Sequence, residues 1–284
     1  MRISVVITLY NMEHYISECL DSVLNQTFTD LEVIIVNDCS TDNSITIVND
    51  YIKKDNRIRL INNEINLGAG MSRRIGINSC NGDYIILLDA DDYISNGFLY
   101  DLYNCAINND SDIVCGSIFY KKLKCYIYNN FESDDEKFSF INNEILTFIN
   151  NKLIRKTLWD KVEYSSRRYI EDAMPYYQLV YYSNKVTTCD SEEYYYYREN
   201  ENSLTHKANK EKNLLFRALV SLDLYEFFNN TYFNKIFNKF FIRNQVGFFI
   251  NDRSINFEEI DSLYHNEYEE LIERWNKIKI RLNK

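Results

Sequence analysis

Proline and glycine are scarce in this sequence. Of its 284 residues, one is proline and seven are glycine. Because few prolines or glycines mark a linker, the domain boundary that we predict near residue 206 rests on a change in the spacing of apolar residues. The first part alternates between strand and helix patterns, and the pattern is helical from about residue 207 onward.

Paired cysteines and long apolar runs are also lacking. The seven cysteines are scattered, and no two are spaced C-x-x-C. An odd, scattered set argues against a disulfide framework or a zinc site and predicts reduced thiols. No apolar run approaches the roughly 20 residues that span a bilayer, and the N-terminus enters a strand-like run without a signal-peptide pattern. We therefore expect a cytoplasmic protein, if membrane-associated then only peripherally.

Positive charge is in deficit, with 32 basic against 42 acidic residues and a net charge of −10. This balance argues against a nucleic-acid partner. The first strand is not followed by a glycine-rich loop such as G-x-G-x-x-G, which disfavours a nicotinamide dehydrogenase or a nucleotidyltransferase. No Ser-His-Asp or Cys-His arrangement suggests a nucleophile on the protein.

The first half of the chain alternates between strand and helix patterns. The predicted strands are Ile3–Ile7, Leu31–Val36, Arg57–Ile61, Tyr84–Leu88 and Asp112–Phe119, and a helix is predicted over Gly97–Asn108. We expect Asn11 to cap the first helix. This alternation predicts an α/β fold with a mostly parallel sheet and helices on both faces. Ligands of such sheets bind beyond the carboxyl ends of the strands.

Polar segments follow three of the predicted strands. They are residues 8–11 (TLYN), 37–42 (NDCSTD) and 89–92 (DADD). Each alone is typical of an ordinary turn or cap. Together, at one edge of a sheet, they predict a binding site.

The acidic segment Asp89-Ala90-Asp91-Asp92 has the most specific chemistry. Three carboxylates in four residues repel one another, and a divalent cation relieves that repulsion. Mg²⁺ and Mn²⁺ prefer oxygen ligands, commonly one or two carboxylates together with substrate phosphates. We therefore predict a metal–phosphate site here, with a plain acidic turn as the alternative.

Other segments favour a nucleotide ligand. Asp38 can accept a hydrogen bond from a base N–H, while Thr8 offers a hydroxyl and Tyr10 a stacking face. Segment 66–74 (NLGAGMSRR) joins glycines to Arg73, a combination that suits phosphate-rich ligands or simply begins a helix. Asp172 precedes a predicted helix at 172–182, as an N-cap or as a general base.

In their order along the chain, these motifs resemble the inverting family 2 glycosyltransferases of GT-A fold. The resemblance covers roughly the first 205 residues and includes Asn66-x-Gly68 and Glu171-Asp172. It implies that Thr8, Asp38 and Arg73 hold the nucleoside, with uracil the commonest base. The residues that it assigns to the diphosphate side are Asp89 near the ribose and metal, Asp91 as the main metal ligand, and Arg198 on the diphosphate, with His206 a weaker candidate than Arg198. Asp172 matches the catalytic base.

The family segment that usually reads Ala-Arg-Asn is Ser72-Arg73-Arg74 in this sequence. The change from asparagine to arginine adds a positive charge, which we expect near the diphosphate.

The resemblance implies a catalytic domain over residues 1–206, with the nucleotide-sugar side in 1–120 and the acceptor side in 121–206. A helical region at 207–284 follows. The implied reaction moves a sugar from a nucleotide diphosphate donor, typically a UDP-sugar, to an acceptor hydroxyl with inversion, assisted by Mn²⁺ or Mg²⁺. A glycan, a lipid-linked saccharide and a protein hydroxyl all remain open as acceptors. The alternative is a non-catalytic relative that binds a sugar nucleotide or a partner.

The start of the C-terminal region is basic. Residues 207–257 hold eight basic and four acidic side chains, and aromatic residues recur at helical spacing between 232 and 241. Such a helix can lie on a membrane surface, or pack on the catalytic domain or on another subunit as in a homodimer. The sequence leaves these alternatives open.

Overall fold

The computed structural model describes residues 2–120, 123–125, 148–164, 170–198, 210–228, 231, 246 and 257–282. The chain divides into two compact units, Met1–Glu199 and Asn200–Lys284. The predicted segments at 203–206, which include His206, and at 232–243 lie outside the described residues.

A seven-stranded sheet forms the centre of the first unit. Its strands are β1 (Ile3–Leu9), β2 (Leu31–Asn37), β3 (Ile58–Asn62), β4 (Tyr84–Asp89), β6 (Ile113–Cys115), β9 (Lys152–Arg155) and β10 (Val186–Thr188), in the order β10-β6-β9-β4-β1-β2-β3. β1, β2, β3 and β4 are parallel neighbours, whereas β9 runs antiparallel to β4 and to β6. The predicted α/β fold with a mostly parallel sheet is confirmed.

Helices cover both faces of this sheet. The helices of the first unit are α1 (Ile16–Leu24), α2 (Ser44–Ile52), α3 (Ala69–Asn78), α4 (Phe98–Asn109), α5 (Lys156–Trp159) and α6 (Ala173–Tyr182). On one face, Val5 and Ile7 of β1 share a buried core with Leu20 of α1 and Phe98 of α4. On the other face, α3 lies so close to β1 that a β-carbon at Gly76 would stand 2.4 Å from a methyl group of Val6.

A smaller sheet joins β5 (Tyr93–Ile94), β7 (Ser117–Tyr120), β8 (Leu123–Cys125) and β11 (Tyr194–Tyr196) in the order β5-β11-β7-β8. The single strand predicted over 112–119 is wrong, because Gly116 divides it between the two sheets. The ring of Phe98 would stand 2.6 Å from a β-carbon at Gly116, so only glycine lets the chain pass at this point.

The predicted role of Asn11 as a helix cap is also wrong. Helix α1 begins at Ile16, and its first flanking residue is Tyr15. Asn11 has a left-handed backbone, with φ of 54°, and its side chain binds another loop. By contrast, the predicted helix near 172–182 is found at Ala173–Tyr182, with Pro175 in its first turn, where proline is tolerated.

The second unit contains α7 (Lys210–Phe228) and α8 (Phe257–Leu282) among its described residues. Arg274 of α8 forms ion pairs with Asp223 of α7 at 2.7 Å and with Glu226 of α7 at 3.1 Å. Within the described part of the chain, no helix is long and apolar enough to cross a membrane.

Candidate active site

The strands β1, β2 and β4 end at one edge of the large sheet, and their polar segments meet there. Thr8 is paired with Asp89 across β1 and β4. Asn11 Oδ1 accepts a hydrogen bond from the backbone N–H of Thr41 at 2.7 Å, which ties the loop after β1 to the loop after β2. The expected convergence at this edge is therefore present.

Asp38 holds the loop that leads into α3. Its Oδ1 accepts hydrogen bonds from Asn63 Nδ2 and from the backbone N–H of Leu67, both at 2.8 Å, and its Oδ2 accepts one from the N–H of Gly68 at 2.8 Å. Gly68 has φ of 82°, a conformation that favours glycine. The Asp38 side chain thus shapes the segment that carries Arg73, and its contact with a base stays a prediction.

Arg73 joins two acidic segments that lie far apart in the sequence. Its Nη2 lies 2.9 Å from Asp89 Oδ1, and its Nη1 lies 2.7 Å from Glu171 Oε1. Burial lowers the pKa of this guanidinium, but the charges of Asp89 and Glu171 raise it above its ordinary value overall. At Gly70, a β-carbon would stand 2.7 Å from Glu171 Cγ, so glycine permits this close approach.

Asn150 completes the surroundings of Asp89 and was missed by sequence reasoning. Its Nδ2 donates to Asp89 Oδ2 at 2.6 Å and to the hydroxyl of Tyr195 at 3.3 Å. The residue is 2% exposed, and its Oδ1 has no hydrogen-bond partner among the described residues. The only local signal was its position shortly before the apolar residues of β9.

Residues of the small sheet and of the segment after it hold the side chain of Asp92. The hydroxyl of Tyr195 donates to Asp92 Oδ2 at 2.5 Å, and the backbone N–H of Arg198 donates to Oδ1 at 2.8 Å. Burial first, and then the charge of Asp89, raise the pKa of Asp92 to about 8. The same Tyr195 hydroxyl accepts a 3.4 Å hydrogen bond from the backbone N–H of Asp89, so one phenol contacts both Asp89 and Asp92.

Arg198 lies against this segment. Its Nε donates to the carbonyl oxygen of Asp91 at 2.9 Å, and its guanidinium forms an ion pair with Glu18. The guanidinium carbon lies 5.2 Å from the ring centroid of Tyr15 and 5.3 Å from that of Tyr93. These contacts place a cation beside the acidic loop, and the role of Arg198 on a diphosphate stays a prediction.

Asp172 is the residue that precedes α6, but its side chain makes no capping hydrogen bond. Burial and the charge of Glu171 raise the pKa of Asp172 to about 6, although Arg73 lowers it; Asp89 contributes a further increase. A carboxylate with this pKa suits proton transfer near neutral pH. The side chain thus does not act as an N-cap in this structure, and its role as a general base stays a prediction.

The remaining predicted residues lie around this centre. Tyr10 is 48% exposed, which leaves a ring face available. Arg74 does not accompany Arg73 towards Asp89; its guanidinium carbon lies 5.4 Å from the ring centroid of Tyr164. Our expectation of an added positive charge at the diphosphate therefore finds no support in this geometry.

The acidic segment does not form a complete metal site by itself. Among the residues that the structure describes, no three His, Cys, Asp or Glu side chains are grouped so as to hold a metal ion. The carboxylates of Asp89, Asp91 and Asp92 nevertheless interact electrostatically. The oxygen donors fit Mg²⁺ or Mn²⁺ provided that the ligand supplies the remaining oxygens.

The fold defines the class of protein. The structure of S. aureus TarS residues 1–349 in complex with UDP-GlcNAc is similar, with a TM-score of 0.68 and 22% identity over 93% of this chain and 76% of that one. The mannosyltransferase PcManGT from Pyrobaculum calidifontis, solved with GDP-Man and Mn²⁺, has a TM-score of 0.54 and 13% identity, covering 80% of this chain and 63% of that one. The fold is GT-A.

Sequence comparison identifies the family. The model of glycosyl transferase family 2 matches residues 4–166, more than half of the chain. Glycosyltransferase GlyG of Streptococcus pneumoniae is 30% identical over 69% of this chain and 70% of its own length. EpsJ of Bacillus subtilis, an uncharacterized glycosyltransferase, is 34% identical over 72% of this chain and 62% of its own length. The chain belongs to glycosyl transferase family 2, and the resemblance seen in its motifs is confirmed.

Proposed function

We propose that the protein transfers a sugar from a nucleoside diphosphate donor, a UDP-sugar, to an acceptor hydroxyl with inversion at the anomeric carbon. One observation carries the proposal: Arg73 binds both Asp89 and Glu171. It thereby brings the acidic segment after β4 next to the Glu171-Asp172 pair, so that a phosphate-binding group and a candidate base lie together.

Asp172 is the general base in this proposal. With a pKa of about 6, its carboxylate is mostly ionised at neutral pH and can accept the proton of the acceptor hydroxyl. That hydroxyl oxygen attacks the anomeric carbon while the bond to the diphosphate oxygen breaks on the opposite face. One displacement of this kind inverts the configuration and needs no nucleophile on the protein.

Thr8, Tyr10, Asp38 and Arg73 are proposed to hold the nucleoside. Tyr10 offers an exposed ring for stacking. Asp38 would accept the base N–H if it exchanged one of the three hydrogen bonds that it now accepts from its own loop. The UDP-GlcNAc in the TarS complex supports the choice of a uridine nucleotide, since TarS shares this fold.

The diphosphate is proposed to bind between Arg198 and the acidic segment. Asp91 would hold Mn²⁺ or Mg²⁺ together with phosphate oxygens, and Asp89 would assist, although both of its oxygens are engaged by Arg73 and Asn150. Such a cation neutralises charge on the departing diphosphate. Arg198 neutralises the same charge with a guanidinium that is already oriented by Tyr15 and Tyr93.

A panel of UDP-, GDP- and dTDP-sugars tests the proposal. Binding is measured by calorimetry, and transfer or slow hydrolysis is measured by nucleotide release with Mn²⁺, with Mg²⁺ and with chelator. We expect a uridine donor to be preferred, and NMR of the product should show inverted anomeric configuration. If no donor binds or reacts under any condition, a non-catalytic binding role replaces this function.

A further inference from the structure

Lys152 is a buried cation for which the proposed reaction has no direct use. It is the first residue of β9 and is 1% exposed. Removing an ammonium group from water is costly unless nearby groups compensate its charge. Burial accordingly lowers the pKa of Lys152, while its neighbours Cys115 and Asp172 raise it. A buried lysine of this kind calls for a structural or functional explanation.

The contacts of Lys152 join the segment before β9 to helix α6. Its Nζ donates to the carbonyl oxygen of Phe148 and, at 2.9 Å, to Asn151 Oδ1. It also lies 5.4 Å from the ring centroid of Tyr176, within the range of a cation–π interaction. Tyr176 is in the first turns of α6, and its N–H donates to the carbonyl oxygen of Asp172 at 3.0 Å.

Each end of this connection reaches the candidate site. On the β9 side, Asn150 donates to Asp89 at 2.6 Å. On the α6 side, Tyr176 stands one helical turn after Asp172. The ammonium group therefore lies between the segment that orients Asp89 and the helix that follows Asp172. The negative charge of Asp172 raises the pKa of Lys152, after Cys115.

We infer that Lys152 is a positioning residue for Asp172. Lys152 holds the start of α6 against residues 148–151 and helps to keep the Asp172 carboxylate ionised. The inference rests on the proposed function, in which Asp172 is the base. A neutral residue of similar length would fill the space but would remove the charge. If Lys152 acts through its charge, such a substitution should therefore shift the titration of Asp172, which a loss of packing alone would not do.

The other charges that face Asp172 come from three places. Glu171 is its neighbour in sequence, Arg73 comes from α3, and Asp89 from the end of β4. Glu171 and Asp89 raise the pKa of Asp172, whereas Arg73 lowers it. Lys152 brings a further positive charge from β9, and Asp172 raises the pKa of this lysine. Removing this positive charge should make protonation of Asp172 easier.

The test compares the full chain with Lys152→Met, Lys152→Gln and Lys152→Arg. The titration of the Asp172 carboxyl carbon is followed by NMR without metal or donor, and the pH profile of kcat/KM is measured with the best donor. Both neutral variants should raise the midpoint of Asp172 and move the acidic limb upward by about one pH unit, while Lys152→Arg should leave both in place. Lys156→Met is the matched control, because Lys156 also donates to a backbone carbonyl, that of Cys80, at 2.6 Å.

Unchanged midpoints in the folded neutral variants would overturn the inference. Should neither of these variants fold, the wild-type Lys152 Nζ resonance decides: it should follow the titration of Asp172, and a flat response contradicts the coupling. A protein in which the midpoint moves but no donor reacts retains the Lys152–Asp172 relationship and refutes the proposed function instead. The two ideas can thus fail separately.

Discussion

The Tyr195 hydroxyl donates a 2.5 Å hydrogen bond to Asp92 Oδ2, and this bond joins the small sheet to the acidic segment after β4. Tyr195 is wholly buried, and Asp92 is 2% exposed. Because a buried carboxylate depends on its donors, the shape of the acidic segment depends on a residue more than one hundred positions away. The arrangement of Asp89 and Asp92 is consequently linked to the small sheet.

Removing this hydroxyl should destabilise the protein. We expect Tyr195→Phe to lower the free energy of unfolding by about 1–3 kcal/mol, because it leaves Asp92 and Asn150 short of a buried partner. Urea unfolding measures the loss. Tyr176→Phe is the matched control: Tyr176 is also buried, but its hydroxyl has no hydrogen-bond partner among the described residues. Equal losses in the two variants would show that the hydrogen bond of Tyr195 contributes nothing.

Asp172→Asn should abolish transfer and yet stabilise the fold. The pKa of Asp172 is raised from 3.8 to about 6 in the folded state, so the folded protein binds this proton more tightly than the unfolded chain. The ionised group therefore costs stability above about pH 6, and the cost disappears below about pH 4. We expect the variant to be more stable by about 1–2 kcal/mol at pH 8, a figure reduced for partial solvent screening, and equal to the wild type at pH 4.

Urea unfolding at pH 4, 6 and 8 measures this difference, and nucleotide release measures activity. Asp160→Asn serves as the control, since Asp160 is an exposed carboxylate at the end of α5. A variant that is less stable than the wild type at pH 8 would contradict the assigned cost of burying Asp172.

Arg73 and Arg74 are adjacent arginines with opposite expected importance. Arg73→Met leaves Asp89 and Glu171 without their shared cation, so we expect a loss of about 3 kcal/mol in the free energy of unfolding and loss of donor binding. Arg74→Met removes an exposed side chain that lies over Tyr164, and should cost less than about 1 kcal/mol. Calorimetric titration with the donor and urea unfolding distinguish them; similar effects of both changes would argue against the bridging role of Arg73.

We expect the activity to depend on a metal ion that Asp91 binds. Chelation should stop nucleotide release, and Mn²⁺ or Mg²⁺ should restore it. Asp91→Asn should need at least about tenfold more metal for half-maximal activity, because one ligand loses its charge. Asp101→Asn, on α4, controls for the general loss of a negative charge. Full activity of the wild type in chelator would remove the cation from the mechanism.

Local patterns predicted the sheet edge well but could not show which residues complete the site. The strands β1, β2 and β4 are buried apolar runs that end in polar segments, and both properties are visible in the sequence. Asn150 was missed because it precedes its strand. An antiparallel strand brings its beginning, not its end, to the edge where parallel strands finish, and nothing local in residues 148–155 predicts the direction of β9.

The wrong predictions concern residues that contact distant parts of the chain. Asn11 has the side chain of a helix cap, but it accepts the N–H of Thr41 instead, because the two loops meet at the sheet edge. Gly116 reads as an interior residue of one strand, yet the ring of Phe98 packs against it and the chain changes sheets there. In both cases a tertiary contact overrides a local preference.

The single reversed strand has a consequence for how the protein can be divided. Strand β9 lies between β4 and β6, and its start brings Asn150 to the edge where Asp89 lies. A proteolytic or recombinant fragment that ends before Lys152 would keep the motifs that are easiest to recognise, namely Thr8, Asp38 and Asp89. It would nevertheless lack β9, Asp172 and Arg198, so motif content alone is a poor guide to whether a shortened relative is an enzyme.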